Sequence, residues 1–83
     1  MKDGDIDNAI SAILEMLSNR LDEKGRGIFI SSHEILGIVA EEYAEFTKAV
    51  EDNDVAGQRS ELIDIAVAAI LGVVARSTGK MDW

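Results

Sequence analysis

Two groups of carboxylates lie in otherwise apolar stretches of this 83-residue sequence. Glu41, Glu42 and Glu45 belong to "AEEYAEF", and Glu61 and Asp64 belong to "SELIDIA". A carboxylate that is buried alone costs free energy or gives up its charge. Carboxylate oxygens are also the ligands that Mg²⁺ and Mn²⁺ prefer. The pattern therefore has two interpretations, an ordinary solvated helix face or a divalent-metal site.

The helical projection separates these acids into inward and outward positions. At about 100° per residue, Glu42 lies in the middle of an apolar stripe and Glu45 lies about 60° to one side, at its edge, so both are predicted to point inward, whereas Glu41 borders the polar face. Glu61 and Asp64 are three residues apart and share one helix face. If the two helices pack antiparallel, both pairs meet in the core. The solvated-face interpretation stays open at this point, since such acidic strings are common on exposed helices.

Periodicity and capping residues define the helices that would position these groups. Apolar residues at the i, i+3, i+4 spacing predict a first helix from Ile6 to Leu21, with Asp5 or Asp7 as its N-cap. A capping box that starts at Ser31 predicts a second helix from about Ser32 to about Asp52. The two acidic pairs then belong to the second helix and to the helix that follows it.

A third helix is predicted from about Val55 to about Ser77, capped by Asp54. Gly57 is unfavourable in the first turn of a helix by about 1 kcal/mol relative to alanine. A short separate turn from Val55 to Arg59 is therefore an alternative start for this segment. In both versions Glu61 and Asp64 lie near the beginning of the helix.

The run from Leu62 to Ala75 contains one polar side chain, Asp64, in fourteen residues. A membrane span needs about 20 such residues, so we expect a buried helix and no membrane partner. Two further helices cannot cover it on every side, and we expect it to pack against its symmetry mate, with Gly72 and the alanines allowing close approach. The predicted fold is all-α: one domain over residues 1–83, an antiparallel bundle of three main helices per chain completed by homo-oligomerisation.

The charge balance limits the classes of partner. The net charge is -8, from 16 acidic against 8 basic residues, which disfavours nucleic acid polymers and anionic membranes. A small anionic substrate would need a cation to bring it in. The sequence has no cysteine, which excludes disulfides, thiolate metal sites and a cysteine nucleophile. With no signal-peptide pattern in "MKDGDIDN", the expected location is the cytoplasm.

The acidic motifs also carry a family resemblance. "EEYAE", fifteen residues and "ELID" resemble the E-E-x-x-E…E-x-x-D signature of the MazG-like, all-α nucleoside triphosphate pyrophosphohydrolases. The flanking helices are similar through about Ala75. The resemblance implies a dimer or tetramer that cleaves a nucleoside triphosphate between the α and β phosphates, giving monophosphate and pyrophosphate with Mg²⁺, or with Mn²⁺ in its place.

The resemblance also implies residue roles. It makes Glu42, Glu45, Glu61 and Asp64 the metal ligands, and Glu41 and Glu42 the catalytic carboxylates, with Glu41 orienting water or acting in the outer shell. The motif does not fix the phosphate-binding cations. The candidates, each also readable as an ordinary surface charge, are Lys48, Arg59, Arg76 and Lys80.

The expected substrate is a noncanonical or deoxynucleoside triphosphate removed from the nucleotide pool. Base preference stays open, because many members of the family continue into a further helix that closes the site, where this sequence has "STGKMDW". One alternative is a phosphoribosyl-ATP pyrophosphohydrolase-like enzyme, although that family tends to have a Tyr-His pair where this chain reads "DIAVAAI". A second alternative is a non-catalytic, metal-binding helical oligomer or interaction module.

Overall fold

The computed structural model describes residues 1–24 and 31–79, apart from the side chain of Lys24. Over these ranges the chain forms three helices: α1 (Asp3–Lys24), α2 (Ser32–Glu51) and α3 (Val55–Thr78). The described residues include no strand. The all-helical prediction with three main helices is confirmed.

Helix α1 begins earlier than predicted. Its first residue is Asp3, so Asp5 and Asp7 lie inside the helix and the prediction that one of them is the N-cap is wrong. The Asp5 carboxylate accepts a hydrogen bond from the backbone N–H of Lys2 at 2.9 Å. Acidic side chains in the first turn are stabilised by the free N–H groups and the positive end of the helix dipole. The polar residues before Ile6 therefore extend the helix.

The other two helices begin at the predicted caps. The Ser31 hydroxyl accepts a hydrogen bond from the Glu34 backbone N–H at 3.3 Å. The Asp54 carboxylate accepts one from the Gly57 N–H at 2.9 Å. A Cβ at position 57 would overlap the Asp54 carboxylate, so glycine leaves room for this cap. Helix α3 is continuous from Val55, and the alternative of a separate turn is wrong.

Helices α2 and α3 pack antiparallel. At one end of the pair, an ideal Cβ at Gly72 would lie 3.1 Å from Cγ2 of Ile35. At the other end, the Gln58 side-chain amide donates to the Ala49 carbonyl at 3.5 Å. The sequence predicted a close approach at Gly72 between symmetry mates, but the neighbour is Ile35 of the same chain. Helix α1 contacts α3, and among the described residues it has no contact with α2.

The core of the single chain is small. Its buried apolar side chains are Ala49, Val67, Ala68 and Ala75, and among the described residues no large side chain is fully buried. Several large apolar residues are instead more than half exposed, at Leu36, Tyr43, Val55, Leu62 and Val73. One chain therefore covers only part of the apolar run of α3. No helix in the described ranges combines the length and apolarity that crossing a bilayer requires.

Candidate metal centre

Three glutamates from two helices come together where α2 and α3 face each other. Glu42 and Glu45 are three residues apart on α2, and Glu61 lies near the start of α3. One carboxylate oxygen of each residue lies within 4.8 Å of the corresponding oxygens of the other two. Glu42 and Glu61 are half-buried, whereas Glu45 is exposed, so the prediction that Glu45 points inward is wrong: it lies at the edge of the apolar stripe, where solvent reaches it. We refer to Glu42, Glu45 and Glu61 as the three-glutamate cluster.

Two oxygens of this cluster are shielded from solvent without a hydrogen-bond donor. They are Oε2 of Glu42 and Oε2 of Glu61. An ionised carboxylate only accepts hydrogen bonds, and a buried acceptor without a partner costs about 1–3 kcal/mol, more when it is charged. Protons or a cation between these oxygens would remove this cost.

The pKa values of Glu42 and Glu61 reflect this unfavourable burial of their carboxylates. The pKa of Glu42 rises from 4.5 to about 7, first because burial disfavours its charge. The neighbouring Glu61 carboxyl, to which a protonated Glu42 can donate, and the charges of Asp64 and Glu45 act in the same direction. The pKa of Glu61 is also raised, mainly by burial and then by the neighbouring Glu45 carboxyl, to which a protonated Glu61 can donate. In the absence of a cation Glu42 therefore keeps its proton until close to neutral pH.

Asp64 lies beside the cluster but has a different partner. Its Oδ1 accepts a hydrogen bond from Nη2 of Arg20 at 3.1 Å, and the two side chains form an ion pair. The Asp64 side chain is 15% exposed and the Arg20 side chain is 32% exposed. The Asp64 charge raises the pKa of Glu42, so Asp64 is electrostatically coupled to the cluster. Its oxygens are not among the three that converge.

The Arg20 contact was not predicted from the sequence. Arg20 follows Leu17 by three residues and Ile13 by seven, which places it on the apolar face of α1. A lone cation on such a face indicates a buried anionic partner, because a buried charge without one is costly. The sequence feature that could have identified this partner was Asp64, the one acid in the apolar run of α3.

The remaining candidate residues are spread over the molecule. Glu41 is exposed on α2. Lys48 forms an exposed ion pair with Asp52 at 3.2 Å. Arg59 lines an apolar cleft of about 350 Å³ between α1 and α3. Arg76 lies seventeen residues further along α3, about 25 Å away at 1.5 Å per residue, and Lys80 lies outside the described residues. Arg59 and Arg76 therefore do not lie in one phosphate site.

The three carboxylates offer oxygen donors of the kind that small divalent cations bind. Ligand oxygens of Mg²⁺ are about 3.0 Å apart when adjacent and about 4.2 Å apart when opposite, since each lies about 2.1 Å from the ion. The three oxygens, which lie within 4.8 Å of one another, would therefore move closer together to bind one ion. A cation would also partner the two buried oxygens that have no donor. Such an all-oxygen donor set is of the type that Mg²⁺ or Mn²⁺ would bind.

Comparison of the chain with protein-family models, with curated proteins and with solved structures finds no match in any of the three. The family resemblance therefore depends on the spacing of the acidic motifs.

Proposed function

We propose that this protein is a Mg²⁺-dependent nucleoside triphosphate pyrophosphohydrolase of the MazG-like type. One observation supports this most strongly: Glu42 and Glu61 each have a solvent-shielded carboxylate oxygen without a donor, and both residues belong to a cluster in which one oxygen of each, and one of Glu45, lie within 4.8 Å of one another. These are three of the four residues that the motif marks as metal ligands. A solvated helix face does not explain the buried oxygens.

Each residue has a role that follows from its position. The three-glutamate cluster holds the cation, and Asp64 is the fourth acid that the motif assigns to it. When bound, Mg²⁺ supplies charge neutralisation for the phosphates and a polarised water for in-line attack. Glu42, half-buried between the two helices, fixes the cation against the protein interior. Glu41 is exposed on the same helix, and we assign to it the orientation of the attacking water.

The substrate is a nucleoside triphosphate, which the metal brings to a protein of net charge -8. A polyphosphate approaching this surface is repelled unless a cation lies at the acidic site. The reaction is cleavage between the α and β phosphates, giving monophosphate and pyrophosphate. A noncanonical or deoxynucleoside triphosphate fits a housecleaning role in the cytoplasm.

The active form is a homo-oligomer, a dimer or a tetramer. Large apolar side chains are more than half exposed at Leu36, Tyr43, Val55, Leu62 and Val73. An interface between copies of the chain would remove such side chains from water. On α2, the exposed residues Leu36, Tyr43 and Val50 follow one another at intervals of seven, the spacing of a helix–helix seam.

A non-catalytic oligomer is the second candidate. It is favoured by the raised pKa of Glu42 and by the nearby Glu61 carboxyl that contributes to it, since carboxyl groups that share protons can stabilise a polar network without metal. This candidate explains the buried oxygens equally well at low pH. It gives no reason for a response to nucleotide.

Thermal unfolding separates the two candidates. The enzyme should be stabilised by Mg²⁺ and stabilised further by Mg²⁺ together with a nonhydrolysable triphosphate, because ligands that bind only the folded state raise its stability. The triphosphate without Mg²⁺ should have little effect. Glu42→Gln should remove the response to Mg²⁺. Indifference of the wild-type protein to the nucleotide, with or without stabilisation by Mg²⁺, would leave the non-catalytic oligomer.

A further inference from the structure

The ion pair between Arg20 and Asp64 connects α1 to the helix that carries Glu61. Its two atoms lie 3.1 Å apart, and both side chains are largely shielded from water. Charge-assisted hydrogen bonds of this kind are stronger than neutral ones, and shielding weakens their screening by salt. The Arg20–Asp64 pair joins two helices, whereas the ion pair between Lys48 and Asp52 lies within one helix and its C-cap.

The pair also lies at the edge of the acidic site. Asp64 is one helical turn beyond Glu61, and its charge reaches Glu42 strongly enough to raise the pKa of that residue. Arg20 comes from a third helix and bonds directly to Asp64. Four acids and one guanidinium thus share this region, and the guanidinium neutralises Asp64 specifically.

A divalent cation and Arg20 compete for the same carboxylate. If the cation is to use Asp64 as a ligand, the Arg20 hydrogen bond must break, and the guanidinium must then be solvated or find another anion. Loss of this ion pair would weaken the attachment of α1 to α3. The apolar side chains Ile6, Ile10 and Leu14 of α1 are about half exposed. Its attachment to α3 has few buried apolar contacts to replace the ion pair.

We infer that Arg20 is a counter-ion that regulates the cation site, an inference that rests on the proposed function. Arg20 holds Asp64 away from the cation and weakens cation binding. The three-glutamate cluster is then the cation site of the resting protein. Loss of Arg20 frees a fourth carboxylate and removes a positive charge from the neighbourhood.

The test is calorimetric titration with Mn²⁺ alone, without nucleotide, on the full chain. Arg20→Gln should tighten Mn²⁺ binding about tenfold, the effect of one unit charge about 10 Å from a divalent ion at an effective dielectric constant near 45. The matched control is Lys2→Gln, which makes the same charge change at the other end of α1, about 27 Å away along the helix. This control should stay within about twofold of the wild type.

The double variant Arg20→Gln/Asp64→Asn tests the role of Asp64. It keeps the net charge and leaves no unpaired buried ion, so it should fold even if Arg20→Gln alone does not. Because Asp64 is not a ligand of the resting site, the double variant should bind Mn²⁺ within about threefold of the wild type. A loss of tenfold or more would show that Asp64 is a ligand and would overturn the inference.

Unchanged or weaker Mn²⁺ binding by folded Arg20→Gln would also overturn it. These outcomes differ from a failure of the proposed function. If the proteins bind Mn²⁺ with the expected order of affinities but do not hydrolyse triphosphates, the enzyme assignment is wrong and the counter-ion role of Arg20 is retained. If the wild-type protein and all variants bind no Mn²⁺, both fall.

Discussion

Replacement of Glu42 by glutamine should stabilise the metal-free protein at alkaline pH. Burial and the neighbouring acids raise the pKa of Glu42 from 4.5 to about 7. A group whose pKa is higher in the folded state stabilises the fold while it is protonated. This stabilisation is complete below pH 4.5 and is lost as the pH rises through about 7. At pH 8 the folded protein therefore bears the full cost of ionised Glu42.

The magnitude follows from the pKa change. The rise from 4.5 to about 7 corresponds to about 3 kcal/mol. Glutamine is uncharged and its amide can donate a hydrogen bond to Glu61, as a protonated Glu42 does. Because Glu42 is only partly buried, solvent screens much of this cost. We expect Glu42→Gln to raise the free energy of unfolding by about 1 kcal/mol at pH 8.

The assay is urea unfolding followed by circular dichroism, in EDTA, at pH 5 and pH 8 and at one protein concentration. The wild-type protein should be less stable at pH 8 than at pH 5, and Glu42→Gln should reduce that difference. The matched control is Glu41→Gln on the same helix; since Glu41 is exposed and outside the cluster, its effect should stay within about 0.5 kcal/mol.

Destabilisation by Glu42→Gln at both pH values would refute this reasoning. It would mean that ionised Glu42 makes favourable contacts in the metal-free fold. Addition of Mg²⁺ should reverse the order of the two proteins at pH 8, because the cation stabilises the ionised cluster of the wild type and has no complete site in the variant.

Further predictions concern the helix caps and the outer surface. Asp54→Ala should lower the free energy of unfolding by about 1 kcal/mol in urea, because the Gly57 N–H loses its acceptor. Gly57→Ala should also destabilise, against the usual preference for alanine in helices, since the new Cβ would overlap the Asp54 carboxylate; greater stability of this variant would contradict the cap geometry. Tyr43→Glu, in the exposed stripe of α2, should lower the molecular mass in sedimentation equilibrium. The control Ala44→Glu, about 100° round the helix, should leave the mass unchanged. An unchanged mass with Tyr43→Glu would exclude this stripe as the interface.

The helices were predictable because their signals are local. Ser31 and Asp54 cap their helices through side-chain contacts three residues away, and such contacts can be read directly from the sequence. The start of α1 was missed for a related reason. Acidic residues near a helix N-terminus serve as caps or as first-turn residues, and the sequence of Asp3, Asp5 and Asp7 does not distinguish these roles.

The site was predictable only in part. The helical projection identified Glu42 as inward and Glu41 as outward, in agreement with their half-buried and exposed side chains. The Arg20–Asp64 pair depends on how α1 lies against α3, with 44 residues between the partners. Periodicity within one helix contains no information on that packing, so the separation of Asp64 from the three-glutamate cluster required the structure.

The most direct test of the central claim is product analysis with Mg²⁺ and a panel of canonical and modified nucleoside triphosphates. We predict that at least one of them yields equal amounts of nucleoside monophosphate and pyrophosphate, that EDTA abolishes the reaction, and that Glu61→Gln loses it while keeping its helical circular dichroism. Release of diphosphate and inorganic phosphate, or turnover that survives EDTA or Glu61→Gln, would contradict a pyrophosphohydrolase centred on the three-glutamate cluster, as would the absence of turnover across the whole panel.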